Sequence, residues 1–178
     1  MLKCLDTKRK SDKNEVELNT YIIERIYNII DRFKVVPGID ENDHFDKTLF
    51  KTCICYVKKW AEENDRNEVE MNIMGSGLSY AQLNEEKMPP VAIMDELNRA
   101  ENEELRIGYY LEMFNQRNAN VHFVDPEGKP ELALSKDFRG RANMAEEKGY
   151  SRYADALNKI ADMHDKEARD IIATKSKM

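Results

Sequence analysis

The chain has 178 residues and a formal net charge of −6, with 35% charged and 41% hydrophobic residues. That length suits one domain able to bury roughly two-thirds of its unfolded surface, and the acidic balance argues against a dedicated nucleic-acid binder, which needs a basic face. No apolar run approaches the ~18 residues of a membrane span. Cys4, Cys53 and Cys55 make neither a disulfide framework nor a CxxC motif, which points to a reducing, cytoplasmic compartment.

Residues 1–12 read as a flexible basic arm. Lys3, Lys8, Arg9 and Lys10 lead into no apolar run, so the segment is not a signal peptide. The remainder, 13–178, reads as a single helical domain. From Asn14 to Phe33 the apolar residues Leu18, Ile22, Ile26, Ile29 and Phe33 advance by four, four, three and four. That is the stripe of an amphipathic helix, which must be buried against something. Asn14 with Glu17 offers a capping box at its start, and Pro37-Gly38 stops it. Ile39 to Phe45 reads as an acidic loop. A second helix opens near Asp46 and carries Leu49, Phe50, Cys53, Ile54, Val57, Trp60 and Ala61 on one face.

Asp65 with Glu68 predicts another capping box and a short third helix through Val69 and Ile73, stopping at Gly75-Ser76-Gly77. Residues 76–90 read as a loop whose Pro89-Pro90 prepares the first turn of a helix from Val91 through Leu97. A helix with Leu105, Ile107, Tyr110, Leu111 and Phe114 follows, either separate or continuous with it. Over 115–130 the helical pattern breaks: Asn115 to Asn120 is polar, Val121 to Val124 suits a short extended piece, and Asp125-Pro126-Glu127-Gly128 is a turn. A helix from about Glu131 to Lys148 closes on Gly149. Ser151 caps the last one, whose face is Tyr153, Leu157, Ile160, Ala161, His164, Ala168 and Ile171. The expected fold is all-α, an irregular bundle of six or seven helices with one non-helical excursion near residues 115–130.

Reactive constellations are scarce. His164 stands among Asp162, Asp165, Glu167 and Asp170, but it continues an apolar stripe and therefore reads as a buried, hydrogen-bonded histidine rather than a metal ligand. Asp40-Glu41-Asn42-Asp43-His44 lacks the glycine register of a calcium loop, and His122 has no neighbouring nucleophile. Gly75-Ser76-Gly77 lacks the lysine of a phosphate-binding loop. Neither a metal nor a cofactor is called for. The most site-like stretch is Phe114-Asn115-Gln116-Arg117-Asn118. Arg117, Arg139, Arg141 and Arg152 have the chemistry to converge on an anion, unless each pairs with a nearby acid such as Glu112, Asp137 or Glu146. Asn115, Arg117, Arg139, Arg141 and His164 are thus the candidate ligand-binding residues, and no catalytic set stands out. Tyr109, Tyr110, Tyr150 and Tyr153 read as core-edge or interface aromatics.

Several of these positions recur together as a pattern. Its first half is Val36-Pro37-Gly38, Leu49, Trp60, Arg66, Met88-Pro89 and Met94-Asp95-Glu96-Leu97. Its second half is Gly108, Phe114-Asn115, Arg117, Phe138-Arg139, Ala142, Leu157, Ile160-Ala161 and Glu167-Ala168. Over roughly residues 33–172 it resembles a helical segment near the C-terminus of some large, poorly characterised bacterial multidomain proteins. That segment tends to carry glycine after the arginine where Asn118 stands here, and an aromatic where this chain has His164. The resemblance brings no established enzymatic activity. It implies a module that works with other domains, in the setting of bacterial defence or NTP-driven switching.

The functional expectation is a non-enzymatic helical protein–protein interaction module, an adaptor, scaffold or oligomerisation domain whose partner is another protein or a second copy. One alternative is a small-ligand, anion-binding or hydrolytic domain built on the Arg/Asn/His residues. Another is a weak nucleic-acid-binding accessory protein, for which the acidic balance is unfavourable.

Overall fold

The computed structural model describes residues 36–39, 44–118 and 125–175, and over these the chain is all-α. The expected basic arm and the expected helix over 14–33 lie outside the described residues. Six helices follow in order: α1 (Lys47–Glu63), α2 (Asn67–Leu78), α3 (Val91–Leu97), α4 (Glu103–Asn118), α5 (Lys129–Glu147) and α6 (Ser151–Lys175). No helix among the described residues is long and apolar enough to cross a membrane.

Asp46 caps α1 as its sequence position requires, Oδ1 accepting from the backbone N–H of Thr48 at 2.6 Å and of Leu49 at 3.0 Å. The segment ahead of it folds back on itself. Ile39 and Phe45 form an isolated antiparallel bridge, and the N–H of Asp46 donates to the Gly38 carbonyl at 2.7 Å. Gly38 has φ +89°, and a Cβ there would sit 2.6 Å from Cβ of Phe50, so only glycine serves at this turn.

The third expected helix differs from the prediction at both ends. Asp65 does not cap it but takes the left-handed conformation, φ 53°, and Arg66 is the residue before the first turn. Arg66 is buried, its Nε donating to Oε1 of buried Glu70 at 2.8 Å. At the far end α2 runs through Gly75-Ser76-Gly77 to Leu78 instead of stopping. The reason is tertiary: Gly75 lies directly on the backbone of α4 at Leu105 and Tyr109, and Gly108 of α4 lies on Asn72 of α2. The two helices run parallel, Asn72 facing Gly108 and Ser79 at the far end meeting Gln116, and they meet backbone to backbone there. This contact outweighs the ~1 kcal/mol helix penalty of a glycine.

Helices α3 and α4 are separate. Arg106 of α4 donates to the Leu97 carbonyl at 3.1 Å, and buried Asn102 donates to the Glu96 carbonyl at 2.7 Å, so side chains satisfy the end of α3. The expected break at Asn115 does not occur, because α4 continues through Asn118. Gln116 holds that last turn by donating to Oγ of Ser79 at 2.7 Å. Residues 119–124, including His122 and the expected extended piece, lie outside the described residues. The turn at 125–128 forms as expected: Gly128 N–H donates to the Asp125 carbonyl at 2.9 Å, and Gly128, φ 62°, leads into α5.

Gly149, φ 84°, ends α5, and α6 doubles back along it as an antiparallel hairpin. Asn98 rather than Ser151 serves the start of α6, its Oδ1 accepting from Arg152 N–H at 2.9 Å. The predicted face of α6 is inward, with Tyr153, Leu157, Ile160, Ala161, His164 and Ala168 all buried. It shares one core with Phe50, Leu78, Met88, Ile93, Leu97, Leu105 and Tyr109.

Candidate functional site

His164 sits in the core near the middle of α6, 2% exposed. Phe114 of α4 lies against its ring, centroids 4.8 Å apart, and Phe138 of α5 stacks on it at 5.8 Å with 24° between planes. Nδ1 is 3.0 Å from Oε2 of Glu167, one turn further on. A histidine with a carboxylate on Nδ1 has the pairing of a general base. Here the aromatic walls close it off from water.

The arginines part company. Arg139 lies on the outer side of α5, where its Nη2 donates to Oδ1 of Asp162 at 2.8 Å and Oδ2 of Asp165 at 2.6 Å, both on α6. Hydrogen bonds from Ser135 and Arg139 hold the Asp165 carboxyl below its ordinary pKa, and the same two aspartates raise that of Arg139. Arg141 points inward, 4% exposed, with its guanidinium carbon 4.7 Å from the Phe138 centroid. Its Nε and Nη2 are buried with no hydrogen-bond partner among the described residues. The Tyr109 and Tyr153 hydroxyls lie 3.4 Å apart, and their rings meet edge to face. Burial pushes both phenol pKa values up, that of Tyr109 well up, against the pull of the Arg141 charge.

Asn115 is exposed on the last turn of α4. The Arg117 backbone belongs to the same turn, and its side chain lies outside the described residues. Arg152 lines a different cleft of about 580 Å³, with Arg106 and Lys159 opposed by Glu103, Asp155 and Asp162. So Phe138 joins Arg141 and His164, one by cation–π contact and one by stacking, while Arg139 faces the aspartates outside. Two of the three acids named from the sequence as arginine partners are taken by other groups: Asp137 pairs with Lys87 at 2.5 Å, and Glu112 accepts from Tyr80.

A second feature was not anticipated from the sequence. An apolar cleft of about 700 Å³ opens between the folded-back segment at Ile39 and Phe45, the loop at Leu83, and the start of α3 at Pro90, Val91 and Met94. Val91 is 56% exposed at its mouth. Lys148 and Tyr150 border it, the former paired with Glu86 and the latter donating to Oδ1 of Asp95 at 3.3 Å. Pro89-Pro90 was the available signal. It marks where a helix begins in the open, with the first turn's outer side chain unclaimed by the core.

No group of three or more His, Cys, Asp or Glu side chains able to hold a metal occurs among the described residues. No family model, curated protein or solved structure matches the chain.

Proposed function

We propose that the chain is a non-enzymatic helical interaction module, an adaptor, scaffold or oligomerisation domain working beside larger bacterial proteins in the cytoplasm. The observation that carries this reading is the apolar cleft over Phe45, Val91 and Met94. It leaves a β-branched side chain more than half exposed at the mouth of a ready-made hollow. Apolar surface of this kind, bordered by charge, is what protein contacts use. Cys53, half-buried, and Cys55, exposed, are both free thiols, in keeping with a reducing compartment. A ligand-binding or hydrolytic role for Asn115, Arg117, Arg139, Arg141 and His164 has less support. It requires Arg139 to leave two aspartates and His164 to be opened to solvent. The acidic balance likewise disfavours a nucleic-acid partner.

The test is size-exclusion chromatography with light scattering on the purified chain, alone and after isolation from its host. A dimer or a stoichiometric protein complex that Val91→Asp dissolves, with the helical circular dichroism unchanged, is the expected result. A chain that stays monomeric at high concentration and brings no stoichiometric partner overturns the reading.

A further inference from the structure

Helices α4 and α6 run parallel, Tyr109 meeting Tyr153 and Phe114 meeting His164, and the cleft of about 580 Å³ opens along the pair. Its fixed point is Arg106. Nη1 donates to the Leu97 carbonyl at 3.1 Å and to the Arg99 carbonyl, and Nη2 reaches the Ala100 carbonyl at 3.5 Å. These acceptors tie the guanidinium to the end of α3 without neutralising it. Its Nε–H has no acceptor among the described residues. That leaves the Nε–Nη2 edge, which can grip a carboxylate side-on.

The other charges of the cleft are equally uncommitted. Arg152 stands exposed on the first turn of α6, and Glu103 and Asp155 are exposed as well. Opposite charges three residues apart on a helix ordinarily attract one another. Here neither Glu103 with Arg106 nor Arg152 with Asp155 closes to an ion pair. All of them nevertheless act on Arg106. Burial holds its pKa below the ordinary value, with Glu103 and Asp155 acting against that shift and Arg152 with it. Asp162, further along, is occupied by Arg139 at 2.8 Å. Lys159 lies over the Tyr110 ring, 5.2 Å from its centroid.

We propose that this cleft binds a small zwitterion of the amino-acid class. Its carboxylate lies on Arg106 and Arg152, its ammonium on Asp155 and Glu103, and its apolar side chain over Ile107, Ala156 and Tyr110. A plain anion would meet two carboxylates here, and a plain cation two arginines. An amino acid carries both charges on neighbouring atoms and answers both sets at once. The site shares no lining residue with the cleft at Val91. It goes beyond the docking role by giving the module a small-molecule input.

The test is a proton–nitrogen NMR titration of the full chain, following the amides of α4 and α6 and the arginine Nε–H groups. The probes are L-phenylalanine and L-leucine, with hydrocinnamate (carboxylate alone), phenethylamine (amine alone) and inorganic phosphate for comparison. At least one amino acid should give shifts confined to the cleft that saturate below about 10 mM. Each single-charge probe should bind about tenfold or more weakly, as expected for losing hydrogen bonds to a charged group. Arg152→Ala and Asp155→Asn should each weaken the amino acid by a similar factor. Both side chains are exposed, so the helical circular dichroism should not change. Lys136→Ala, on α5 outside the cleft, should bind like the parent. Hydrocinnamate or phosphate binding as tightly as the amino acids would make this a plain anion site and overturn the proposal. So would the absence of saturable shifts with both amino acids, or parent-like binding by both cleft variants.

Discussion

Where α2 crosses α4, no side chain separates the helices: Gly75 and Gly108 set backbone against backbone. Where α5 lies along α6, the contact is made of large and polar side chains, Phe138 on His164, Arg139 on two aspartates, and Arg141 under the ring of Phe138. The first arrangement tolerates no added atom and gives up almost no desolvation energy. The second buries a guanidinium and an imidazole, which costs stability unless their hydrogen bonds are made. A close-packed crossing is therefore rigid by sterics, whereas a polar interior is held by partners that can be changed one at a time.

The largest effect expected from this contrast is at the glycine crossing. The Cβ of Gly108→Ala would fall inside the contact distance of the Asn72 carbonyl oxygen, a backbone atom that cannot rotate away. Overpacking usually costs 1–3 kcal/mol, and a fixed carbonyl places this variant at or above the upper end, about 3 kcal/mol. Urea denaturation should show a much lower midpoint. Gly140→Ala is the control, since nothing lies within 4 Å of its Cβ, and as a helical glycine-to-alanine change it should stabilise slightly. A Gly108→Ala midpoint equal to the parent's would mean that the two helices are not in backbone contact.

A smaller effect is expected on the outer side of the α5–α6 pair. The native state holds Asp165 below its ordinary pKa, while the unfolded chain protonates it near 3.9. Its contribution is therefore complete above about pH 4 and is lost as the pH falls through the lower native value. Asp165→Asn should lower stability at pH 7 by no more than about 1 kcal/mol, since the Arg139 side chain is 44% exposed and the pair is screened by solvent. Measured against pH, the parent and variant curves should converge in acid. Parallel curves down to pH 2 would show that the native state does not hold the Asp165 carboxyl below its ordinary value.

The face of α6 was legible in the sequence from Tyr153 to Ala168, because burial there follows a 3.6-residue period, although buried Ala154 and Ala156 were not counted in it and Ile171 is only half-buried. The cap at Asp46 and the end of α5 at Gly149 were legible for a similar reason, since both are settled by local chemistry. Gly75-Ser76-Gly77 misled, because a glycine that ends a helix and a glycine that admits another helix look alike until the second helix is placed. Asn115 to Asn118 misled likewise, as the polar run is held helical by a distant hydrogen bond from Gln116 to Ser79. Among the arginines, alternation along α5 separates Arg139 from Arg141 by two positions, about 200° of helix. The expectation of a single anion site overlooked that spacing, and nothing in the sequence told which of the two the core would take.

That choice gives the smallest and most informative prediction. Arg141 has two nitrogens buried with no partner among the described residues, a cost that its stacking on Phe138 and its place beside Tyr153 offset only in part. Arg141→Met keeps most of the length and flexibility while removing the charge. Stability should then change by less than about 1 kcal/mol in either direction, against the 3–5 kcal/mol typical of breaking a hydrogen-bonded buried ion pair. A loss in that larger range would show that the guanidinium is compensated and belongs to the framework. If stability holds but the self-association or partner complex is lost, the charge is retained for a contact that forms only in the assembly. The α5–α6 interior would then be part of the interaction surface rather than its support.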